Sequence, residues 1–128
     1  MTTILVAADA DWVRNQVRSA FVTDDCSVVE VVRGQDVIKS VKEHAPELVI
    51  LDMQIANMGG IACAIELRLA EEAGRIPVSR IILLLDREAD RLLAQRAAAD
   101  EILVKPVDAG VLRRAAKRVL AATAPIEA

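Results

Sequence analysis

The chain has 128 residues, about the size of one ordinary domain, and its 54% hydrophobic content at 27% charged is ample for a single packed core. One Trp, one Phe and no Tyr leave that packing to Val, Ile, Leu and Ala, and argue against a nucleic-acid reader that stacks bases on aromatics. A formal net charge of −3 offers no basic footprint for a phosphate backbone, so no direct nucleic-acid partner is expected.

The N-terminal "MTTILVAADAD" lacks a charged segment followed by a long apolar one. No apolar run approaches the ~18 residues of a membrane span, so the expectation is a soluble, cytoplasmic chain without a membrane partner. Cys26 and Cys63 have no metal-ligand spacing and read as free thiols in a reducing compartment.

In chain order, "ILVA" (4–7) predicts a first strand, followed by a helix whose Val13, Val17, Ala20 and Phe21 fall at i, i+4, i+7 and i+8. "SVVEVV" (27–32) predicts a second strand, and Val37, Ile38 and Val41 a second helix closed by Pro46. "LVIL" (48–51) is the third strand; Gly59 and Gly60 then precede a helix with the expected stripe Ile61, Ala64, Ile65 and Leu69. Gly74 and Pro77 break before "IILLL" (81–85), and Leu92, Leu93 and Ala97 mark a fourth helix. "ILV" (102–104) and a helix with Val111, Leu112, Ala115, Ala116 and Val119 complete five βα units. The domain is expected over residues 1–122, with 123–128 a frayed tail because Pro125 ends any helix.

Short strands apolar on both faces and alternating with helices belong in a parallel sheet between two helix layers, a doubly wound α/β domain. In such sheets the functional crevice lies beyond the carboxyl ends of the strands. Asp9 follows the first strand, Asp52 ends the third and Lys105 follows the fifth, so two carboxylates and an ammonium are expected at one rim. Two carboxylates with a backbone carbonyl suit a hard cation such as Mg2+, and a lysine can neutralise an added anion.

"PELVILDMQIANMGG" (46–60) resembles the phosphoacceptor segment of the receiver domains of bacterial two-component response regulators, with Pro46, Asp52, Met58 and Gly60 at matching positions. "ILVKP" (102–106) resembles the family's fifth strand, its lysine and a proline typically joined by a cis peptide. "ILVAADADWVR" is similar to the first strand and acid pocket, and "RGQDVIKSV" to the start of the second helix; together the likeness spans about residues 3–121. It implies a flavodoxin-like (βα)5 receiver fold with strand order 2-1-3-4-5 and helices on both faces. By the same resemblance Asp52 accepts a phosphoryl group, Mg2+ is held by Asp9, the Asp52 carboxylate and the Gln54 backbone carbonyl, and Lys105 pairs with the phosphoryl oxygens. The implied partners are a histidine kinase or phosphotransfer protein and an unidentified downstream protein, with the chain a monomer or weak homodimer. It implies a switch that signals by protein contact, not an enzyme turning over a foreign substrate, since no output domain follows.

Four positions depart from the family pattern. Ala8 stands where the first of two consecutive acids is usual, which implies weakened metal binding; Asp11 reads as an N-terminal helix acid ahead of a compensating ligand. Leu85 replaces the Thr or Ser that ends the fourth strand, Asp86 the small residue after it, and Ile102 the aromatic of the fifth strand. Asp86 reads as a helix N-cap, with phosphate-repelling carboxylate as its other reading. The stretch from Leu85 to Lys105 is also two residues shorter than usual.

These departures support a second reading, a phosphorylation-independent pseudo-receiver acting as an interaction module. A flavin- or nucleotide-binding enzyme on the same architecture would need a glycine-rich loop where "AADADW" stands. His44 reads as a cation at a helix C-terminus, Trp12 as packing at the start of the first helix. Arg14, Arg18, Arg113, Arg114, Lys117 and Arg118 read as solvated faces, with partner docking as the alternative.

Overall fold

The computed structural model describes residues 2–23 and 25–122; the expected tail at 123–128 lies outside the described residues. The strands are β1 Thr2–Ala7, β2 Cys26–Val31, β3 Leu48–Asp52, β4 Arg80–Leu85 and β5 Glu101–Val104. The helices are α1 Asp11–Phe21, α2 Val37–His44, α3 Gly60–Glu72, α4 Arg91–Gln95 and α5 Ala109–Ala121. All five strands are parallel in the order β2-β1-β3-β4-β5, the doubly wound sheet expected.

Strand side chains alternate between two apolar layers, because successive residues of a strand point to opposite faces. Ile4, Val6, Leu48, Ile50, Ile82 and Leu84 pack with Val13 and Val17 of α1 and Leu112, Ala115 and Val119 of α5. Leu5, Val49, Leu51, Ile81, Leu83 and Leu85 pack with Val37 and Val41 of α2, Ala64 and Leu67 of α3 and Ala94 of α4. β3, at the centre, is buried at every residue.

Two expected stripes differ from those observed. In α3 the buried positions are Gly60, Cys63, Ala64, Leu67 and Ala70, while Ile65 and Leu69 are exposed. Positions 61, 65 and 69 are four apart, and a row at i, i+4, i+8 drifts around a helix of 3.6 residues per turn. Four of the buried positions, Gly60, Cys63, Ala64 and Ala70, are small, and Leu67 is the one large side chain beneath the helix. α4 is little more than one turn; it buries Ala94, and Ala97 just beyond it, while Leu92 and Leu93 face outward. α1, α2 and α5 bury the stripes expected, with Ile38 and Val111 half-buried.

His44 ends α2 as expected, where Ala45 caps the helix in the left-handed region at φ 44° before Pro46. Both cysteines are free, and burial pushes the Cys63 thiol up to about 11, which leaves it unreactive at neutral pH. Among the described residues no helix is long and apolar enough to cross a membrane.

Candidate functional site

The sheet register brings the strand ends level. Ala7 lies beside Leu51, Asp52 beside Leu84, and Leu85 beside Val104, so the residues following β1, β3, β4 and β5 emerge along one rim. Asp52 is the last residue of β3 and only 1% exposed. Its backbone is held by the Met53 N–H donating to the Leu84 carbonyl at 3.0 Å. α3 begins directly against it: a Cβ at Gly60 would lie 2.2 Å from the Asp52 carbonyl oxygen, so this position requires glycine. The loop carrying Gln54 is tied to the loop after β2 by the Ala56 N–H to Val32 carbonyl bond (3.1 Å) and the Gly34 N–H to Ala56 carbonyl bond (2.9 Å).

Lys105 follows β5, its N–H donating to the Leu85 carbonyl at 2.8 Å, and the Lys105–Pro106 peptide is cis, as the family resemblance implies. Its ammonium lies 2.5 Å from Asp52 Oδ1 and 2.8 Å from Asp86 Oδ1. With Asp52 the contact is a close ion pair, and Nζ donates a hydrogen bond to Asp86. Gln54 Nε2 donates to Asp86 Oδ2 at 3.4 Å, and the Gln54 N–H to Asp52 Oδ2 at 3.3 Å. Lys105 Nζ also sits 5.5 Å from the centroid of the Trp12 ring, within cation–π range.

The electrostatics follow from this geometry. Burial pushes the Asp52 carboxyl above its ordinary value, against the opposing pull of Lys105 and the Gln54 N–H. Burial also works to lower the Lys105 pKa, but the bonds and charges of Asp52 and Asp86 outweigh it and leave it raised. The Lys105 hydrogen bond holds Asp86 below the usual carboxylate range.

Asp9 stands at the same rim with its side chain exposed, and its N–H donates to the Gln54 carbonyl at 2.7 Å. Among the described residues no three Asp, Glu, His or Cys side chains gather as a metal cluster. Two carboxylates and a carbonyl nevertheless fit Mg2+, which commonly takes one or two protein carboxylates and keeps several waters. The donor set is lean: Ala8 supplies no carboxylate, the Gln54 carbonyl already accepts one hydrogen bond, and Asp52 Oδ1 faces Lys105.

The expectation of Asp86 as a helix N-cap is overturned. The short helical turn at Glu88–Asp90 begins after Arg87, and the Asp86 carboxylate is turned to Lys105 and Gln54 instead. Leu85 is fully buried among the apolar residues facing α2, α3 and α4, and Ile102 is half-buried against the same layer. Asp11 lies in the first turn of α1, exposed and paired with Arg14.

Trp12, expected to pack, is 60% exposed beneath Lys105. Arg14, expected on a solvated face, is largely buried: its Nη1 donates to the Ala8 carbonyl at 2.7 Å and the Asp9 carbonyl at 2.9 Å. Its position one turn into α1, just behind the β1 loop, is the only sequence signal for this role; the carbonyls it binds carry none. Sequence reasoning likewise misses the Gln54 side chain, because the resemblance brings only its carbonyl to the site.

The response regulator receiver domain model matches residues 4–117. The chain is 31% identical over 129 residues to the KDP operon transcriptional regulatory protein KdpE of Escherichia coli, covering 98% of this chain and 56% of that protein. It is 27% identical over 118 residues to the chemotaxis protein CheY of Bacillus subtilis, covering 91% and 96%. It thus spans little more than half of one relative and nearly all of the other. The receiver domain of a signal transduction histidine kinase from Syntrophus aciditrophicus shares the fold at 22% identity with a TM-score of 0.82, covering 100% of this chain and 96% of that one. A sheet of this order, with its rim aspartate and lysine and this match over most of its length, belongs to the response regulator receiver domain family of two-component signalling.

Proposed function

We propose that this receiver domain takes a phosphoryl group on Asp52 from a histidine kinase or phosphotransfer protein in the cytoplasm, and passes the signal on by contact with a further protein. One observation carries the reading: a carboxylate at the end of a fully buried central strand, 1% exposed, faces an ammonium 2.5 Å away at the rim where ligands of such sheets bind. A charge so buried is costly, and a lysine poised beside it is placed to neutralise added negative charge.

In the transfer, an Asp52 oxygen attacks phosphorus in line as the bond to the donor nitrogen breaks, the nitrogen keeping the electron pair. Lys105 pairs with the phosphoryl oxygens, and the Gln54 N–H steadies the other carboxylate oxygen. Asp9, Asp52 and the Gln54 carbonyl are the residues that would hold Mg2+, which when bound supplies positive charge to the transferring group. The protein forms a single bond, at Asp52, and otherwise supplies positioning and charge neutralisation, which fits a switch better than an enzyme with a substrate of its own.

The test is intact mass after incubation with a small-molecule phosphodonor and Mg2+. The wild type should gain one phosphoryl group, dependent on Mg2+, and Asp52→Asn should not. A wild type that gains nothing refutes the proposal and makes the phosphorylation-independent interaction module the better reading.

A further inference from the structure

We propose that Asp86 is a resident counter-anion for Lys105, so that a phosphoryl group or its mimic engages the lysine only by displacing it. The inference rests on the reading of Asp52 as phosphoacceptor and adds a positioning residue to that site. Lys105 carries one positive charge and stands between two carboxylates, 2.5 Å from Asp52 and 2.8 Å from Asp86. Asp86 is held there from two sides, by Lys105 on Oδ1 and by Gln54 Nε2 on Oδ2. Gln54 in turn is the residue whose N–H contacts Asp52, so acceptor, lysine and counter-anion form one closed ring of contacts.

The two carboxylates are not equivalent. Asp52 is buried and fixed in a strand, while Asp86 is 39% exposed on the loop after β4 and has water to swing into. A phosphoryl group on Asp52 turns that carboxylate into an acyl phosphate whose phosphoryl oxygens carry more negative charge than the carboxylate they replace, and they compete with Asp86 for the single ammonium. Asp86, the mobile partner, gives way, so binding a phosphoryl group carries the cost of releasing the Asp86 bond. The negative charge left nearby adds repulsion, which solvent and salt screen in part.

The experiment titrates beryllofluoride, a phosphoryl mimic, with Mg2+ into wild type, Asp86→Asn, Asp86→Ala and Asp86→Glu. Trp12, the only tryptophan and close to Lys105, reports binding by fluorescence, and the 15N resonance of the Lys105 ammonium reports its partner. Asp86→Asn keeps the shape and removes the charge. It should bind about tenfold more tightly than wild type, the size expected for release of one half-exposed, charge-assisted hydrogen bond. Asp86→Ala should follow it, Asp86→Glu should fall back towards wild type, and raising the salt should narrow the gap.

The same variants are taken through phosphodonor labelling to separate this inference from the one beneath it. Equal beryllofluoride affinity in wild type and Asp86→Asn overturns the counter-anion, even where both gain a phosphoryl group on Asp52. A retained tenfold gap with no phosphoryl gain in any variant supports the counter-anion and refutes the phosphoacceptor. Beryllofluoride binding to none of them overturns the counter-anion, and the absence of phosphodonor labelling as well overturns both.

Discussion

Replacing Lys105 by Met keeps most of the stem and removes the ammonium that faces Asp52. Asp52 is 1% exposed, and its other contact is the long Gln54 N–H bond at 3.3 Å, so the carboxylate loses its main compensation. Removing one partner of a buried ion pair costs about 3–5 kcal/mol. Lys105 is 14% exposed and Asp52 can escape by taking a proton, so about 2–3 kcal/mol is expected at alkaline pH. For a domain of this length that lowers Tm by roughly 10 °C.

The pH dependence distinguishes this mechanism from lost packing. Burial already holds the folded-state pKa of Asp52 above its ordinary value, and losing Lys105 raises it further. The folded protein then keeps a proton that the unfolded chain releases, so stability falls as pH rises from the unfolded pKa through the folded one. Urea denaturation of Lys105→Met should show a small deficit near the ordinary carboxylate range and the full deficit well above it. Adding Asp52→Asn to Lys105→Met should recover most of the loss at alkaline pH and flatten the profile. A deficit that is the same at every pH, or a double mutant no more stable than Lys105→Met, would refute the argument that a buried charge is at stake.

Two other sites give independent checks. Gly60→Ala places a Cβ 2.2 Å from the Asp52 carbonyl oxygen, so the α3 start and the β3 end must part; a loss of about 1–3 kcal/mol is expected in the urea midpoint, with reduced labelling of Asp52. Arg14→Ala frees the Ala8 and Asp9 carbonyls and loosens the loop that carries Asp9, so the Mg2+ response of Trp12 fluorescence should weaken about 3- to 10-fold in apparent Kd. An unchanged Mg2+ titration would show that Arg14 serves only its ion pairs with Asp11 and Glu30.

The βα alternation and the three charged residues at the strand ends are legible in the residues alone. Both are local signals: three to six mainly aliphatic residues between turn residues are too short for a buried helix and read as strands, and a parallel sheet presents the residues beyond its strand ends at a single rim. Asp9, Asp52 and Lys105 are legible for that reason, and the family resemblance places the departures at Ala8, Leu85, Asp86 and Ile102 on the same scaffold.

Which side chains meet at that rim is decided by the packed fold. The neighbours of Asp86 in sequence suggest a cap, yet its partners are Lys105, 19 residues away, and Gln54, 32 residues away. Arg14 looks solvated from its sequence because its targets are backbone carbonyls, which every residue has and no sequence marks. In α3 and α4 the expected stripes hold for Ala64 and Ala97, whereas Leu67, Ala70 and Ala94 are also buried and Ile65, Leu69, Leu92 and Leu93 face outward. Hydrophobic size and spacing give a helix its stripe, but how closely it lies on the sheet, and hence which face is buried, depends on the whole packed layer.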